Sequence, residues 1–161
     1  MNDDAIPQSV ESENDHPQRQ DRPPHRILVV DDEALVRNLI AEALVDYGYR
    51  VDVAADGLEA WNTLQDKYYD LLITDNNMPS MSGLELLDGL RAASRSLPVI
   101  LVTGTAPERE FARMPHPQAV VLLLKPFTII DLLVAVKKSL SDEMALIAPT
   151  QSVAPYTANT P

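Results

Sequence analysis

Cysteine is absent from the 161 residues of this chain, which excludes disulfide bonds, thiolate metal ligands and a cysteine nucleophile. Long apolar runs are also absent: no stretch approaches the ~20 residues of a membrane-spanning helix, and none near the N-terminus is typical of a signal peptide. Positive charge is scarce, since 13 Lys and Arg face 24 Asp and Glu, for a formal net charge of -11. This balance argues against nucleic acid or an anionic membrane as a direct partner. These absences predict a cytoplasmic protein without membrane insertion.

Glycine is also scarce, and proline is unevenly placed. All five glycines lie between residues 26 and 140, whereas seven of the 13 prolines lie in residues 1–25 and 141–161. Both flanks are polar and hold too few large apolar residues to offset the entropy of ordering. We therefore predict a disordered acidic tail over 1–25, one folded domain over 26–140 and a second disordered tail over 141–161.

Between the flanks, short apolar runs alternate with segments of helical period. Continuous runs predict strands at RILVV, DLLIT, PVILVT and AVVLLL, and the alternating YRVDVA predicts an edge strand. Five helices are expected, of which the fourth is short or irregular because Pro115 and Pro117 interrupt it. The first is expected to end at Gly48, and the last to open with a cap formed by Thr128 and Asp131. The first helix also carries apolar residues at helical spacing: Leu35, Leu39, Ile40, Ala43, Leu44 and Tyr47. The alternation predicts an α/β fold with helices on both faces of a parallel sheet.

Polar side chains stand where the predicted strands end. They are, in chain order, Asp31, Asp32, Asp75, Thr103 and Lys125. Because the carboxyl ends of parallel strands meet at one edge of the sheet, we expect these groups to converge on one rim. Any one of them alone could be an ordinary strand exit or turn residue, and the prediction rests on their coincidence. Glu33, next to the first acidic pair, is interpreted as an acid in the first turn of a helix.

The chemistry of this set follows from its charges. Carboxylates that lie close together raise one another's pKa unless a cation neutralises them. Oxygen ligands suit a hard ion such as Mg²⁺, which binds through one or two carboxylates and accepts phosphate oxygens. A carboxylate can then act as nucleophile toward a phosphoryl group, while an ammonium and a hydroxyl stabilise the phosphoryl oxygens. The residues thus predict phosphoryl chemistry assisted by Mg²⁺.

Four motifs make the chain resemble a response regulator receiver domain, the phosphoacceptor of two-component signalling, of the single-domain kind that resembles chemotaxis regulators. They are VVDDE (29–33), ITDNNMPSMSGLEL (73–86), VTG (102–104) and LKPF (124–127), in the order that the family has. The resemblance spans about residues 26–140. It implies a flavodoxin-like, doubly wound sheet of five parallel strands in the order 2-1-3-4-5.

The resemblance also implies roles for individual residues. Asp75 is similar to the phosphoacceptor, which takes a phosphoryl group from a phosphohistidine. Asp32 resembles the direct Mg²⁺ ligand, Asp31 an acid that acts mainly through metal-bound water, and the backbone carbonyl of Asn77 the third protein ligand. Lys125 resembles the ammonium that pairs with the phosphoryl group.

Other implied roles concern switching and lifetime. Thr103 resembles the hydroxyl that moves toward the phosphoryl group, and the Lys125–Pro126 peptide is expected to be cis. Asn77 and Thr105 occupy positions that tune phosphoryl lifetime in the family. Leu122 departs from the family, which usually has Tyr or Phe there. A leucine can pack inward in either state, and it lacks the ring that, in the family, changes rotamer together with the threonine.

Three functions are compatible with the residues. The first is a phosphoacceptor that meets a sensor histidine kinase or a histidine phosphotransfer domain and signals by contact with a downstream protein. It promotes its own phosphorylation and dephosphorylation and is otherwise not an enzyme. The second is a degenerate receiver that acts as a binding scaffold independent of phosphorylation. The third is a small phosphatase or other Mg²⁺-dependent phosphotransferase on a similar sheet, which is disfavoured because no second carboxylate follows Asp75 at a spacing suited to an acid–base residue.

Overall fold

The computed structural model describes residues 24–105 and 119–141, and in this part the chain forms five strands and four helices. The strands are β1 Arg26–Val30, β2 Arg50–Ala54, β3 Leu71–Asp75, β4 Val99–Thr103 and β5 Val120–Leu124. The helices are α1 Ala34–Asp46, α2 Gly57–Asp66, α3 Gly83–Ala92 and α4 Ile129–Leu140. Both predicted tails and the helix predicted between β4 and β5 lie outside the described residues, apart from the few tail residues next to the domain.

The strands form one parallel sheet in the order β2-β1-β3-β4-β5, which confirms the predicted order and the edge position of β2. In the register of the sheet, Val30 pairs with Thr74 and Thr103 with Leu124. The ends of these neighbouring strands therefore lie along one edge. None of the described helices is long and apolar enough to cross a membrane.

Two apolar layers hold the helices on opposite faces of the sheet. On one face, α1 and α4 pack over alternate strand residues such as Ile27, Ile73 and Ile100. On the other, α2 and α3 pack over Leu28 and Leu72. All five residues of both β3 and β4 are buried, which is why these strands read as continuous apolar runs.

The helix ends agree with the sequence in part. Helix α1 ends at Asp46, and Gly48, the second residue after it, adopts φ +88. Thr128 and Asp131 form the predicted capping box of α4. Glu33 is the residue before α1 and its side chain makes no capping hydrogen bond, so its placement in the first turn was wrong. The apolar positions of α1 were also only partly right, because Leu35 (86% exposed) and Leu39 point away from the sheet while Ile40 and Leu44 are buried.

Candidate functional site

Three polar side chains are buried at the carboxyl edge of the sheet. Asp31 follows β1, Asp75 ends β3 and Thr103 ends β4, and they are 2%, 4% and 2% exposed. Lys125 follows β5 and reaches back over this edge. Its backbone N–H donates to Thr103 O at 2.9 Å, and the Lys125–Pro126 peptide is cis as predicted. The structure thus brings together four of the five strand-end residues.

Lys125 links the two buried carboxylates. Its Nζ lies 2.7 Å from Asp75 Oδ1 and 3.9 Å from Asp31 Oδ2. Partial burial alone would lower the pKa of Lys125, but the hydrogen bond and charge of Asp75, with the charge of Asp31, outweigh it and raise the pKa. Lys125 is therefore a fixed cation at neutral pH, and its single charge faces both buried carboxylates.

Asp31 carries the unbalanced charge. Burial is the largest cause that raises its pKa, and the charges of Asp75 and Asp32 add to it, although Lys125 and a hydrogen bond from the Glu33 N–H act in the opposite direction. That bond joins Glu33 N to Asp31 Oδ1 at 2.8 Å. A buried carboxyl that is easier to protonate than usual is one that a bound cation would stabilise in its ionised form.

The loop after β3 fixes the carboxylate of Asp75. The Asn77 N–H donates to Asp75 Oδ2 at 2.6 Å and Lys125 contacts Oδ1, so both oxygens of Asp75 have a partner. A Cβ at Gly83 would lie 2.4 Å from the Asp75 carbonyl oxygen, which means that α3 can start here only from a glycine. The side chain of Asn76 accepts from the Leu84 N–H at 3.3 Å and ties the loop to the helix. Sequence reasoning assigned no role to Asn76 or Gly83.

The hydroxyl of Thr103 is engaged away from Asp75. It donates to the Thr105 carbonyl at 2.8 Å and accepts from the Thr105 N–H at 3.3 Å. Leu122 lies on the edge strand β5 and is 39% exposed. The two predicted switch positions therefore differ: Thr103 is buried and held by a hydrogen bond, whereas Leu122 is partly open to solvent.

Asp32 stands apart from the buried group. Its side chain is exposed and, within the described part of the chain, makes no hydrogen bond or ion pair. In the same part, no three His, Cys, Asp or Glu side chains form a group that could hold a metal ion. The ammonium of Lys125 contacts both Asp31 and Asp75. The donors predicted from the sequence nevertheless suit Mg²⁺, because the carboxylates of Asp31, Asp32 and Asp75 and the carbonyl of Asn77 are all hard oxygen ligands.

Residues 27–137 match the sequence profile described as response regulator receiver domain. The chain belongs to this family. Over 103 residues the receiver is 39% identical to the sensor histidine kinase RcsC and 40% identical to the sensor protein EvgS, both of Escherichia coli K12. Each alignment covers 64% of this chain but only 11% of RcsC and 9% of EvgS, so the chain spans about a tenth of the length of these relatives.

Solved receiver structures agree with this assignment. The chemotaxis protein CheY4 of Vibrio cholerae is 34% identical with a TM-score of 0.65, covering 72% of this chain and 98% of that one. The response regulator TrrA of Thermotoga maritima, solved in complex with Mg(2+)-BeF, is 36% identical with a TM-score of 0.63 and covers 71% of this chain and 98% of its own. The receiver is thus a two-component signalling domain with a flavodoxin-like fold, in a family that binds Mg²⁺ at its phosphorylation site.

Proposed function

We propose that this receiver accepts a phosphoryl group on Asp75 from a phosphohistidine, carried by a sensor histidine kinase or a histidine phosphotransfer domain. The observation that supports this best is the 2.7 Å contact between Asp75 Oδ1 and Lys125 Nζ. A buried carboxylate with one fixed cation beside it, at an edge where other acids leave negative charge unbalanced, is a positioned nucleophile rather than a surface acid. We place the domain in the cytoplasm, where it signals by contact with a downstream protein.

The transfer that we propose forms one bond and breaks one. A carboxylate oxygen of Asp75 bonds to phosphorus while the P–N bond to the donor imidazole breaks, and the imidazole nitrogen keeps the electron pair and takes up a proton. Lys125 then balances charge on the phosphoryl oxygens. Thr103 contributes by exchanging its present acceptor, the Thr105 carbonyl, for a phosphoryl oxygen.

A divalent cation belongs to the same proposal. Mg²⁺ bound at the rim would neutralise charge that develops on the transferring group. The donors that we assign to it are Asp31, Asp32, Asp75 and the backbone carbonyl of Asn77. Asn77 lies two residues after Asp75, and Thr105 two residues after Thr103. We assign the side chains of Asn77 and Thr105 to the control of phosphoryl lifetime.

The test is the covalent state of Asp75. The full chain is incubated with Mg²⁺ and acetyl phosphate, and intact-mass spectrometry counts the phosphoryl groups bound. We expect one on the wild type, none on Asp75→Asn and one on the control Asp66→Asn, which removes an exposed carboxylate at the end of α2.

Three outcomes contradict the proposal. An equal mass increase on Asp75→Asn would place the modification elsewhere. An unmodified wild type, which also fails to bind beryllofluoride, would favour a scaffold independent of phosphorylation. Continuous turnover of an added phosphoester would favour a phosphatase, because a receiver modifies only itself.

A further inference from the structure

Arg37 contacts the site through the backbone of Asp31 and is not one of the residues assigned to the site above. It lies on the first full turn of α1, half-buried, and its backbone N–H donates to Glu33 O at 2.9 Å. Its guanidinium Nη1 donates to the backbone carbonyl of Asp31 at 2.6 Å. Within the described part of the chain Arg37 forms no ion pair with a carboxylate. An arginine that gives its charged donor to one backbone carbonyl serves to hold that carbonyl.

The carbonyl in question belongs to the peptide that joins the two acids. Because a peptide unit is planar, fixing the oxygen of Asp31 also fixes the direction in which the chain enters Asp32. The rest of Asp31 is held as well: its N–H donates to Ala54 O at 3.3 Å, and its Oδ1 accepts from Glu33 N at 2.8 Å. Asp32 has no such support from its own side chain, which is exposed and unbonded among the described residues. Its orientation therefore depends on the backbone that Arg37 holds.

We infer that Arg37 is a positioning residue, which directs the carboxylates of Asp31 and Asp32 toward the same divalent cation by clamping the peptide between them. This inference rests on the proposed function, since it assumes a cation at the rim. The competing explanation is that Arg37 only stabilises the first turn of α1. The two explanations differ in what Arg37 controls: Mg²⁺ affinity of the folded protein in one, and the free energy of unfolding alone in the other.

The first measurement is Mg²⁺ affinity of the full chain by isothermal titration calorimetry. Arg37→Met keeps the apolar stem and removes the guanidinium, and we expect its Kd for Mg²⁺ to rise about tenfold or more, as is typical when a group that orients metal ligands is lost. Arg37→Lys keeps the charge without the rigid fork, so its Kd should lie between those of wild type and Arg37→Met. The control is Arg50→Met, the same change at an exposed arginine at the start of β2, and its Kd should stay within about twofold of wild type.

The second measurement needs no metal. In the Mg²⁺-free protein, the backbone amide resonance of Asp32 reports on the peptide that Arg37 clamps. We expect that resonance to shift or broaden in Arg37→Met, with a smaller change in Arg37→Lys and none in Arg50→Met. Should Arg37→Met fail to fold, Arg37→Lys carries both measurements.

The outcomes separate this inference from the proposed function. A folded Arg37→Met with wild-type Mg²⁺ affinity and an unchanged Asp32 resonance would overturn the positioning role, even if its unfolding free energy fell. If the wild type bound no Mg²⁺, the cation at the rim would be wrong and the inference would fall with it. A changed Mg²⁺ affinity without any change at the metal-free Asp32 amide would also overturn it, because Arg37 would then act through charge alone.

Discussion

Two charged groups in this receiver lie toward opposite ends of the sheet, and they balance their charges differently. The first, which we call the Asp52 cluster, consists of Asp52 in β2, Arg26 at the start of β1, and Lys67 and Tyr69 before β3. One oxygen of Asp52 accepts from the Tyr69 hydroxyl at 2.5 Å and from Arg26 Nη2 at 2.7 Å, with Lys67 Nζ at 3.8 Å. The guanidinium of Arg26 also stacks 5.2 Å from the centre of the Tyr69 ring. In this cluster one carboxylate is surrounded by two cations and a hydroxyl.

The second group, the rim cluster, consists of Asp31, Asp75 and Lys125. Here, among the described residues, two buried carboxylates share one ammonium. The pKa of Asp31 is raised by burial, whereas the pKa of Asp52 is lowered, because its hydrogen bonds with Tyr69 and Arg26 outweigh the opposing effect of burial. Three partners converge on one oxygen of Asp52, whereas Asp31 and Asp75 share Lys125, and this difference agrees with the cation that we propose for the rim.

The largest expected effect comes from removing the rim cation. Lys125→Met leaves Asp31 and Asp75 buried without the ammonium that they share, and we expect the free energy of unfolding to fall by about 2 kcal/mol at pH 7. The measurement is urea denaturation in the presence of a chelator. The control Lys137→Met removes an exposed lysine from α4. Equal effects of the two substitutions would mean that Lys125 does not stabilise the rim.

A somewhat smaller loss of stability is expected from the Asp52 cluster. Asp52→Asn removes the charge that Arg26 and Lys67 share, and we expect a loss of about 1.5 kcal/mol at pH 7. Because the folded pKa of Asp52 is lowered, its contribution to stability is present above the unfolded value near ~3.9 and disappears as pH falls through the folded pKa. Urea denaturation from pH 7 to acid should therefore show the variant and the wild type converging. A difference that did not shrink in acid would point to packing rather than charge.

The sequence predicted the elements that depend on local pattern. Strands β3 and β4 are buried on both faces, and a continuous apolar run records that directly. It did not predict which face of α1 meets the sheet, because Leu35 and Ile40 are equally apolar and only tertiary packing distinguishes them. The helix cap at Gly48 was predictable from the residue type. The equivalent turn after α3 was not, because Ser94 holds φ +53 there and serine gives no such signal.

The contacts at the site also divide into those that the sequence predicts and those that it does not. Asp75 and Lys125 could be predicted to meet, because strand ends share one edge of the sheet and the motifs are those of the family. The contact from Arg37 to the Asp31 carbonyl could not, because the long side chain of an arginine on a helix has many carbonyls and carboxylates within reach. The direction of the Thr103 hydroxyl toward Thr105 also depends on loop geometry that residue types do not encode.

An Asp→Asn substitution should have the opposite effect on stability at the rim cluster from the effect of Asp52→Asn. Asp31→Asn keeps an oxygen that can accept from the Glu33 N–H and removes a buried charge, so we expect the free energy of unfolding to rise by about 1 kcal/mol in metal-free buffer at pH 7. Because the folded pKa of Asp31 is raised, the wild type loses stability relative to the variant as pH rises through that pKa, and the two converge in acid. Asp52→Asn serves as the matched substitution. If both variants were destabilised at pH 7, the contrast between the clusters would be wrong.

The Tyr69 hydroxyl is expected to contribute least to the Asp52 cluster. Tyr69→Phe keeps the ring against Arg26 and removes the hydroxyl that donates to Asp52 at 2.5 Å. We expect a loss of about 0.5 kcal/mol, because Asp52 keeps its ion pairs with Arg26 and Lys67. The pKa of Asp52, followed through its carboxyl resonance by NMR, should rise in the variant since one of the bonds that lower it is gone. Tyr68→Phe is the control, because the neighbouring Tyr68 is 94% exposed. An unchanged Asp52 pKa in Tyr69→Phe would assign the balance of this cluster to its two cations alone.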